Sequence, residues 1–381
     1  MRELLAELDT WTVPGHRVAI ATVIATGGSA PRPIGAKMAV DDQGRIAGAV
    51  SGGCVEGAVV ELAERVLTDD EPRTGAYGIS DAEAWAIGLP CGGQIEVDVA
   101  LWAPTPGSPQ ARFATLAAAG QRAALVTALD GPREQTLVIP GAGAPREQTL
   151  GAPRERALLA PEAVAVGAPL SPATRAAARA LLWADRSALV HDGGRRWFVD
   201  VVAPPPRLIL VGAVPVAQAL CRAARDAGWR PFVVDPRGRF ATPERLPAAE
   251  RVVVAWPEEG FAQLGGLDPA TAVIALSHDP KIDDPALALA VRSRAAFVGA
   301  MGSRRATADR RERLAASGLT AAELDRISAP IGLDLGGIGD AETALSIMAE
   351  LVAVRHGRPG GRLSTTDGTI HVRSAASPLA A

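Results

Sequence analysis

The sequence predicts an α/β protein with a helix-covered parallel sheet in its C-terminal part and a smaller α+β domain before it. From residue 207 onward, short apolar runs of strand length alternate with amphipathic helical stretches, a pattern typical of parallel sheets. Nearer the N-terminus, residues 94–102 alternate apolar and polar side chains as a half-buried strand does. Residues 54–67 instead place apolar side chains three and four positions apart, as a helix does.

The N-terminal domain is predicted to span residues 1–105. Its expected elements, in order, are a helix at 2–9, strands at 17–25, 36–40 and 45–50, the helix at 54–67 and the strand at 94–102.

A middle region, residues 106–203, carries weaker patterns. We expect a helix at 109–119, a strand at 122–129, a helix at 171–184 and a hairpin over 187–202. Between them GPREQTL (131–137) is nearly repeated as APREQTL (144–150). A 13-residue spacing is too short for a repeat architecture, so residues 131–156 are interpreted as a duplicated low-complexity loop without chemistry.

The prolines of APPPR, residues 203–207, predict an extended linker before the C-terminal domain. That domain, residues 207–356, reads as successive strands RLILVG, RPFVVD, RVVVAW, TAVIALS and AAFVGAMG separated by helices, which is a Rossmann-like arrangement. Residues 357–381 lack periodicity and are expected to be a flexible tail.

Composition limits the function classes. The formal net charge of −3 argues against nucleic acid as a partner and against a basic membrane surface, since both need a positive excess. No apolar stretch is long enough to span a membrane, and the N-terminus does not resemble a signal peptide, so the cytoplasm is expected. Three cysteines are too few for a disulfide framework.

The turn after the first strand of the C-terminal domain, GAVPVA, only partly fits a dinucleotide-binding motif. Val214 stands where the second glycine should let the pyrophosphate approach the backbone. Asp235, at the end of the second strand, is placed to bind a ribose hydroxyl. NAD(P) is therefore not expected as a cofactor.

A second anion site is predicted where a helix follows AAFVGAMG. Gly302, Ser303, Arg304 and Arg305 would combine free amides, the helix dipole and guanidinium groups, although a capped helix with solvated arginines is the alternative. His278, in SHDPKIDDP, also follows a strand. In that segment a rigid hydrogen-bonded loop is favoured over a metal site.

Two cysteines stand beside glycine pairs: Cys54 after Gly52 and Gly53, and Cys91 before Gly92 and Gly93. Cys54 falls at the predicted start of a helix, where the dipole favours a thiolate suited to a soft metal or to sulfur chemistry. The alternative is that both are small buried residues in tight turns. Lys37, one of only two lysines, lies in the turn-rich motif GSAPRPIGAKM.

Taken together, these motifs resemble the XdhC/CoxI family, accessory proteins that mature molybdenum hydroxylases. The resemblance rests on GSAPRPIGAKM, SGGCVEGAV, YGISDAEAWAIGLPCGG, VVDPRGRFATPERLP, SHDPKIDDPAL, FVGAMGSRRATADRRERL and PIGLDLGG. The chain departs from it at GAVPVA, where relatives usually have GAGHVA, and at GGIGDAE before the last helix.

The resemblance implies a chaperone that binds the molybdenum cofactor, supports its sulfuration with a cysteine desulfurase and inserts it into a hydroxylase apoenzyme. The client would be of the xanthine dehydrogenase or carbon monoxide dehydrogenase type. Cys54 and Cys91, with their glycine pairs, would lie near molybdenum, and Lys37, Asp235, His278 and residues 302–305 would complete the cofactor-binding residues.

Two other function classes stay open: an NAD(P)-binding oxidoreductase, and a diverged paralogue acting only through protein contacts. The sequence leaves open the client enzyme, any catalytic turnover and the oligomeric state, a homodimer being one option.

Overall fold

The structure, a computed structural model, describes residues 1–12, 16–27, 32–78, 93–140 and 164–366. These residues form two compact units, one from the N-terminus to Pro204 and one from Pro205 onward. The predicted fold class, a Rossmann-like sheet preceded by an α+β part, is confirmed.

The first unit begins with an antiparallel sheet of five strands in the order β3-β2-β1-β5-β4. Its elements are helix α1 (Leu5–Trp11), strands β1 (Val18–Gly27), β2 (Lys37–Asp41) and β3 (Ile46–Gly48), helix α2 (Glu56–Asp69), and strands β4 (Arg73–Gly78) and β5 (Gln94–Leu101). Helix α2 packs its buried face, which includes Val59, Ala63 and Val66, against this sheet. It starts at Glu56, two residues later than predicted. Strand β4 was not predicted, because RTGAYG carries almost no apolar side chains and pairs only along one edge.

A second antiparallel sheet of the same unit has the order β8-β7-β6-β10-β9. It comprises helix α3 (Pro109–Ala118), strands β6 (Ala123–Ala128), β7 (Gln135–Ile139) and β8 (Val164–Gly167), helix α4 (Pro172–Ala184), and strands β9 (Ala188–Asp192) and β10 (Arg195–Val202). Ser108 and Ser171 cap the two helices by accepting hydrogen bonds from backbone amides.

The predicted loop at 131–156 is wrong in its first part, where β7 forms. Pairing with β6 on one side and β8 on the other buries Leu137 and Val138, and this pairing outweighs the loop-like composition around it. The second copy of the repeat lies outside the described residues. The sequence predicts a boundary between residues 105 and 106, yet both sheets belong to one unit, joined by contacts such as the ion pair of Lys37 with Asp200.

The second unit is a parallel six-stranded sheet in the order β13-β12-β11-β14-β15-β16, which is the order of the doubly wound dinucleotide-binding fold. The strands are β11 (Arg207–Val211), β12 (Arg230–Val234), β13 (Arg251–Val253), β14 (Thr271–Ala275), β15 (Phe297–Ala300) and β16 (Ile327–Ser328). The helices are α5 (Pro215–Asp226), α6 (Pro257–Gln263), α7 (Pro280–Arg292), α8 (Arg304–Ala316), α9 (Ala321–Leu324) and α10 (Gly339–Arg355).

Successive residues of β11 point to opposite faces of this sheet, and each face has its own core. Leu208 and Leu210 belong to one core, with the buried side of α10, while Ile209 and Val211 belong to the other. The strands are therefore covered on both faces, and their carboxyl ends form the edge where a ligand site is expected.

Candidate functional site

The carboxyl ends of the parallel strands lie along one edge of the second unit. Where the strand order reverses, between β11 and β14, the turns after these two strands pack closely against each other. Gly212 follows β11 with φ +115, and a Cβ atom there would lie 2.8 Å from the Ser277 backbone nitrogen. Only glycine suits this turn. Val214 then caps α5 without a side-chain hydrogen bond, and Pro215 is the first helical residue. The turn thus starts a helix with an apolar residue where a dinucleotide-binding turn has glycine.

Asp235 is fully buried at the end of β12 and both of its carboxylate oxygens are occupied. Oδ2 accepts from the Ala213 amide at 2.7 Å, and Oδ1 accepts from the Arg237 amide at 2.9 Å. The Arg237 guanidinium donates to both oxygens. Burial raises the pKa of Asp235, but these hydrogen bonds outweigh it and leave the pKa below its ordinary value. The residue holds the Gly212 turn in place, and the structure gives it no free oxygen for a ribose.

The loop after β14 is organised by Asp283. This buried carboxylate accepts hydrogen bonds from the Ser277 hydroxyl at 2.6 Å and from the His278 amide at 3.0 Å. Burial raises its pKa. His278 has φ +58, a left-handed conformation that is uncommon outside glycine but that His, like Asn and Asp, adopts more often than other residues. Ser277, His278 and Asp279 form a hydrogen-bonded loop, but the predicted loop is wrong from Pro280 onward, where Asp279 caps helix α7 and the rest of the segment is helical.

The start of α8 has the geometry that the sequence predicts. Gly302 has φ +154, and Ser303 caps the helix by accepting a hydrogen bond from the Ala306 amide at 3.1 Å. The side chains of Arg304 and Arg305 are exposed, and within the described part of the chain they form no ion pair. In contrast, Arg311 later in the helix pairs with Asp325. The helix start therefore presents two cations that lack an ion-pair partner among the described residues, next to amides at the positive end of the helix dipole.

A third arginine, which sequence reasoning missed, lies behind this helix start. Arg310 is only 5% exposed, and its Nη2 donates to the Met301 carbonyl at 3.0 Å and lies 3.8 Å from Asp283 Oδ2. Its Nε and Nη1 atoms are buried and have no hydrogen-bond partner among the described residues. The segment RRATADRRERL is rich in arginine, and nothing in the spacing tells which one turns inward.

In the first unit, Cys54 lies in the turn before α2 and is half-buried. Its amide donates to the Ser51 hydroxyl at 3.0 Å. Gly52 and Gly53 are exposed with positive φ, and a Cβ atom at either would meet no atom of the described residues within 4 Å. Within the described part of the chain, the glycine side of the turn is therefore open.

The carboxylate of Glu56, also missed from sequence, occupies the amides of this turn. It accepts hydrogen bonds from the backbone of Ser51, Gly52 and Gly53, each at 2.8 Å. Burial works against its ionisation, yet the hydrogen bonds from Ser51 and its neighbours lower the pKa of Glu56 to about 2. The amides expected to favour a Cys54 thiolate are thus already satisfied by a negative charge of the protein itself.

The remaining predicted cofactor-binding residues of the first unit are Lys37, Cys91, Gly92 and Gly93. Cys91 and Gly92 lie outside the described residues, and Gly93 is buried directly before β5. Lys37 is buried, with its Nζ 2.8 Å from Asp200 Oδ2 and 3.1 Å from Thr22 Oγ1. Although Lys37 itself is buried, it lines a partly open pocket of about 250 Å³ together with Asp98 and Arg133.

The described residues contain no group of three or more His, Cys, Asp or Glu residues placed to hold a metal ion. None of their helices has the length and apolar character needed to cross a membrane.

Comparison with known proteins gives two family matches. Residues 208–351 match the XdhC Rossmann domain, and residues 11–78 match the XdhC and CoxI family. The chain is 28% identical over 343 residues to the molybdenum cofactor insertion chaperone PaoD of Escherichia coli (strain K12), covering 90% of this chain and 84% of the relative. It is 24% identical over 351 residues to a probable xanthine dehydrogenase component of Bacillus subtilis (strain 168), covering 91% and 96%.

Among solved structures, the chain resembles a crystal structure described as a xanthine dehydrogenase from Bacillus halodurans. The TM-score is 0.59 at 23% identity, over 95% of this chain and 97% of that chain. This likeness supports the fold.

Proposed function

Because this chain belongs to the XdhC and CoxI family, we propose that it is a chaperone that binds the molybdenum cofactor and inserts it into an apoenzyme of the xanthine dehydrogenase type. A relative named as a molybdenum cofactor insertion chaperone, matched over 90% of this chain, supports the proposal. We further propose that the chain hosts sulfuration of the cofactor by a cysteine desulfurase, that it acts in the cytoplasm, and that a carbon monoxide dehydrogenase type enzyme is an alternative client.

The observation that carries the proposal is the open helix start at residues 302–305. The cofactor is a pterin dithiolene that carries a phosphate, and a phosphate needs amide donors and cations. Ser303 fixes the helix start, while Arg304 and Arg305 are exposed and bound to no carboxylate among the described residues. Amides at a helix N-terminus and adjacent guanidinium groups are a common phosphate-binding combination.

For the metal end we propose Cys54, with Cys91 as a second thiol. Cys54 is half-buried beside the exposed Gly52 and Gly53, so a bulky ligand has access to the sulfur. Because Glu56 holds the neighbouring amides and brings a negative charge, we assign Cys54 a contact with the bound metal or its sulfur ligand, and not the role of a strongly activated nucleophile.

The test is anaerobic binding of isolated molybdenum cofactor to the purified chain. Arg304→Ala and Arg305→Ala should each weaken binding about tenfold or more, the usual effect of losing a charge-assisted hydrogen bond. Arg311→Ala is the matched control, because Arg311 lies on the same helix but is engaged with Asp325. Equal affinity in all four proteins would refute the assigned phosphate site.

The alternative of an NAD(P)-dependent oxidoreductase is disfavoured by Val214 and by the occupied carboxylate of Asp235. Titration with NADH, followed by nicotinamide fluorescence, separates the two classes. Binding of NADH without binding of molybdenum cofactor would favour the oxidoreductase. Binding of neither, with retained capture of the apoenzyme, would favour a paralogue that works through protein contacts.

A further inference from the structure

We propose that Arg310 and Thr307 form the inner wall of an oxyanion pocket at the start of α8, and that this pocket binds the terminal phosphate of a phosphate monoester. The inference deepens the proposed function and rests on it in naming the cofactor as the natural ligand, but the pocket itself is argued from unsatisfied donors.

The first observation is the buried guanidinium. Arg310 is 5% exposed, and two of its nitrogens, Nε and Nη1, lack partners in the described part of the chain. Buried polar groups in folded proteins are almost always hydrogen-bonded, so such a group indicates that a ligand or water supplies the acceptor. Its third nitrogen is held by the Met301 carbonyl, with Asp283 Oδ2 at 3.8 Å.

The guanidinium reaches back along α8 to its first turn. A Cβ atom on Gly302 would lie 3.7 Å from Arg310 Nη1 and 3.8 Å from Nη2. The free donors of Arg310 thus lie next to the glycine that precedes the helix cap. Arg304 and Arg305 flank the same turn on the solvent side.

An independent buried donor belongs to Thr307. Its Oγ1 is buried and has no hydrogen-bond partner within the described ranges. Thr307 and Arg310 are three residues apart in a helix of 13 residues, so they share one face. The Thr307 hydroxyl and the two Arg310 nitrogens thus lie on one face of the helix, next to its N-terminus, without hydrogen-bond partners among the described residues. Together they form a set of donors that suits an oxyanion.

The donors favour a terminal phosphate over a phosphate diester. Two guanidinium nitrogens, one hydroxyl and the first amides of α8 can satisfy several oxygens at once. A monoester presents three terminal oxygens and up to two negative charges, whereas a diester presents two oxygens and one charge. Asp283 also lies near the guanidinium, so the ligand must carry enough charge to compete with a carboxylate.

The experiment is calorimetric titration of the full chain with inorganic phosphate, methyl phosphate and dimethyl phosphate at constant ionic strength. We expect phosphate and methyl phosphate to bind, and dimethyl phosphate to bind at least tenfold more weakly. Arg310→Met should weaken phosphate binding about 10- to 100-fold, and Thr307→Val several-fold. Arg313→Met is the matched control: Arg313 lies on the same helix as Arg310 but pairs with Asp284 of α7, so the variant should bind phosphate as the wild type does.

Equal phosphate affinity in the wild type, Arg310→Met and Arg313→Met would overturn the inference, as would absence of phosphate binding to the wild type. If Arg310→Met fails to fold, phosphate binding is measured on Thr307→Val and Arg310→Lys instead. Wild-type phosphate affinity in both of these variants would overturn the inference. Cofactor binding that survives Arg310→Met unchanged would overturn this inference and leave the proposed function standing. If the chain binds phosphate in an Arg310-dependent way but binds no cofactor, this inference stands and the proposed function is refuted.

Discussion

The turn that carries Cys54 depends on the charge of Glu56, and replacing Glu56 by Gln tests this dependence. Glu56→Gln keeps the shape of the side chain but removes the negative charge that the amides of Ser51, Gly52 and Gly53 engage. Hydrogen bonds to a charged acceptor are about twice as strong as those between neutral groups. We therefore expect the variant to fold with a less stable turn.

The size of the effect follows from the pKa of Glu56, which falls from 4.5 to about 2. A tenfold change in proton affinity is worth about 1.4 kcal/mol, so the full shift corresponds to about 3 kcal/mol. Because the carboxylate is partly exposed and water screens it, we reduce the expected loss in the free energy of unfolding to about 1–2 kcal/mol.

The sign of the pH dependence is fixed by the direction of the pKa change. A carboxylate whose pKa is lower in the folded state stabilises the protein above the unfolded pKa and loses that contribution as the pH falls toward the folded pKa. The difference between wild type and Glu56→Gln should therefore be full near pH 7 and shrink between about pH 5 and pH 2.

Urea denaturation of both proteins at a series of pH values measures this difference. Other carboxylates titrate in the same range, but they are common to both chains and cancel in the comparison. A variant as stable as the wild type at pH 7, or a difference that does not change with pH, would refute the reasoning.

Three further predictions concern the other sites. In a Cys91→Ser background, a thiol reagent should label Cys54 in the folded protein and Cys221 only after unfolding, since burial raises the pKa of Cys221 to about 12; rapid labelling of two thiols in the native protein would contradict the burial. Asp235→Asn should lower the free energy of unfolding by about 2–3 kcal/mol, because the Ala213 amide and Arg237 lose a charged acceptor, and urea denaturation of wild type and variant checks it. Lys37→Met should cost about 3 kcal/mol by leaving the partly buried Asp200 without its cation. The double variant Lys37→Met, Asp200→Leu should recover most of that loss, and no recovery would mean that the pair is not what Lys37 contributes.

Much of the fold was predictable because its signals are local. The apolar runs of β11, β12 and β14 and the helical spacing of α2 can be recognised within short windows of sequence. Strands β4 and β7 could not be recognised in this way. RTGAYG is an edge strand with few apolar residues, and QTLVI lies in a loop-like context, so both depend on pairing with other strands: β4 with β5, and β7 with β6 and β8.

The candidate site likewise combines features that local sequence predicts with features that depend on packing. The helix start at residues 302–305 was predictable because a cap and a strand end are local features. Three features were not predictable from the sequence: the inward direction of Arg310, the capture of the turn amides by Glu56 and the burial of Lys37. Each depends on which side chains surround the residue after packing, and a residue type does not carry that information.

The sequence alone determined the chain order of five of the six strands in the second unit, the glycine-rich turns and the family, because each is written in residue type and spacing. It did not predict the two-residue strand β16. The tertiary structure decided which charges are free. It paired Asp235 with Arg237 and Lys37 with Asp200, while leaving Arg304 and Arg305 open and two nitrogens of Arg310 unsatisfied within the described residues. The physical reason is that a charged group finds its partner through space, and the cost of burying it depends on that partner, so its role follows from packing.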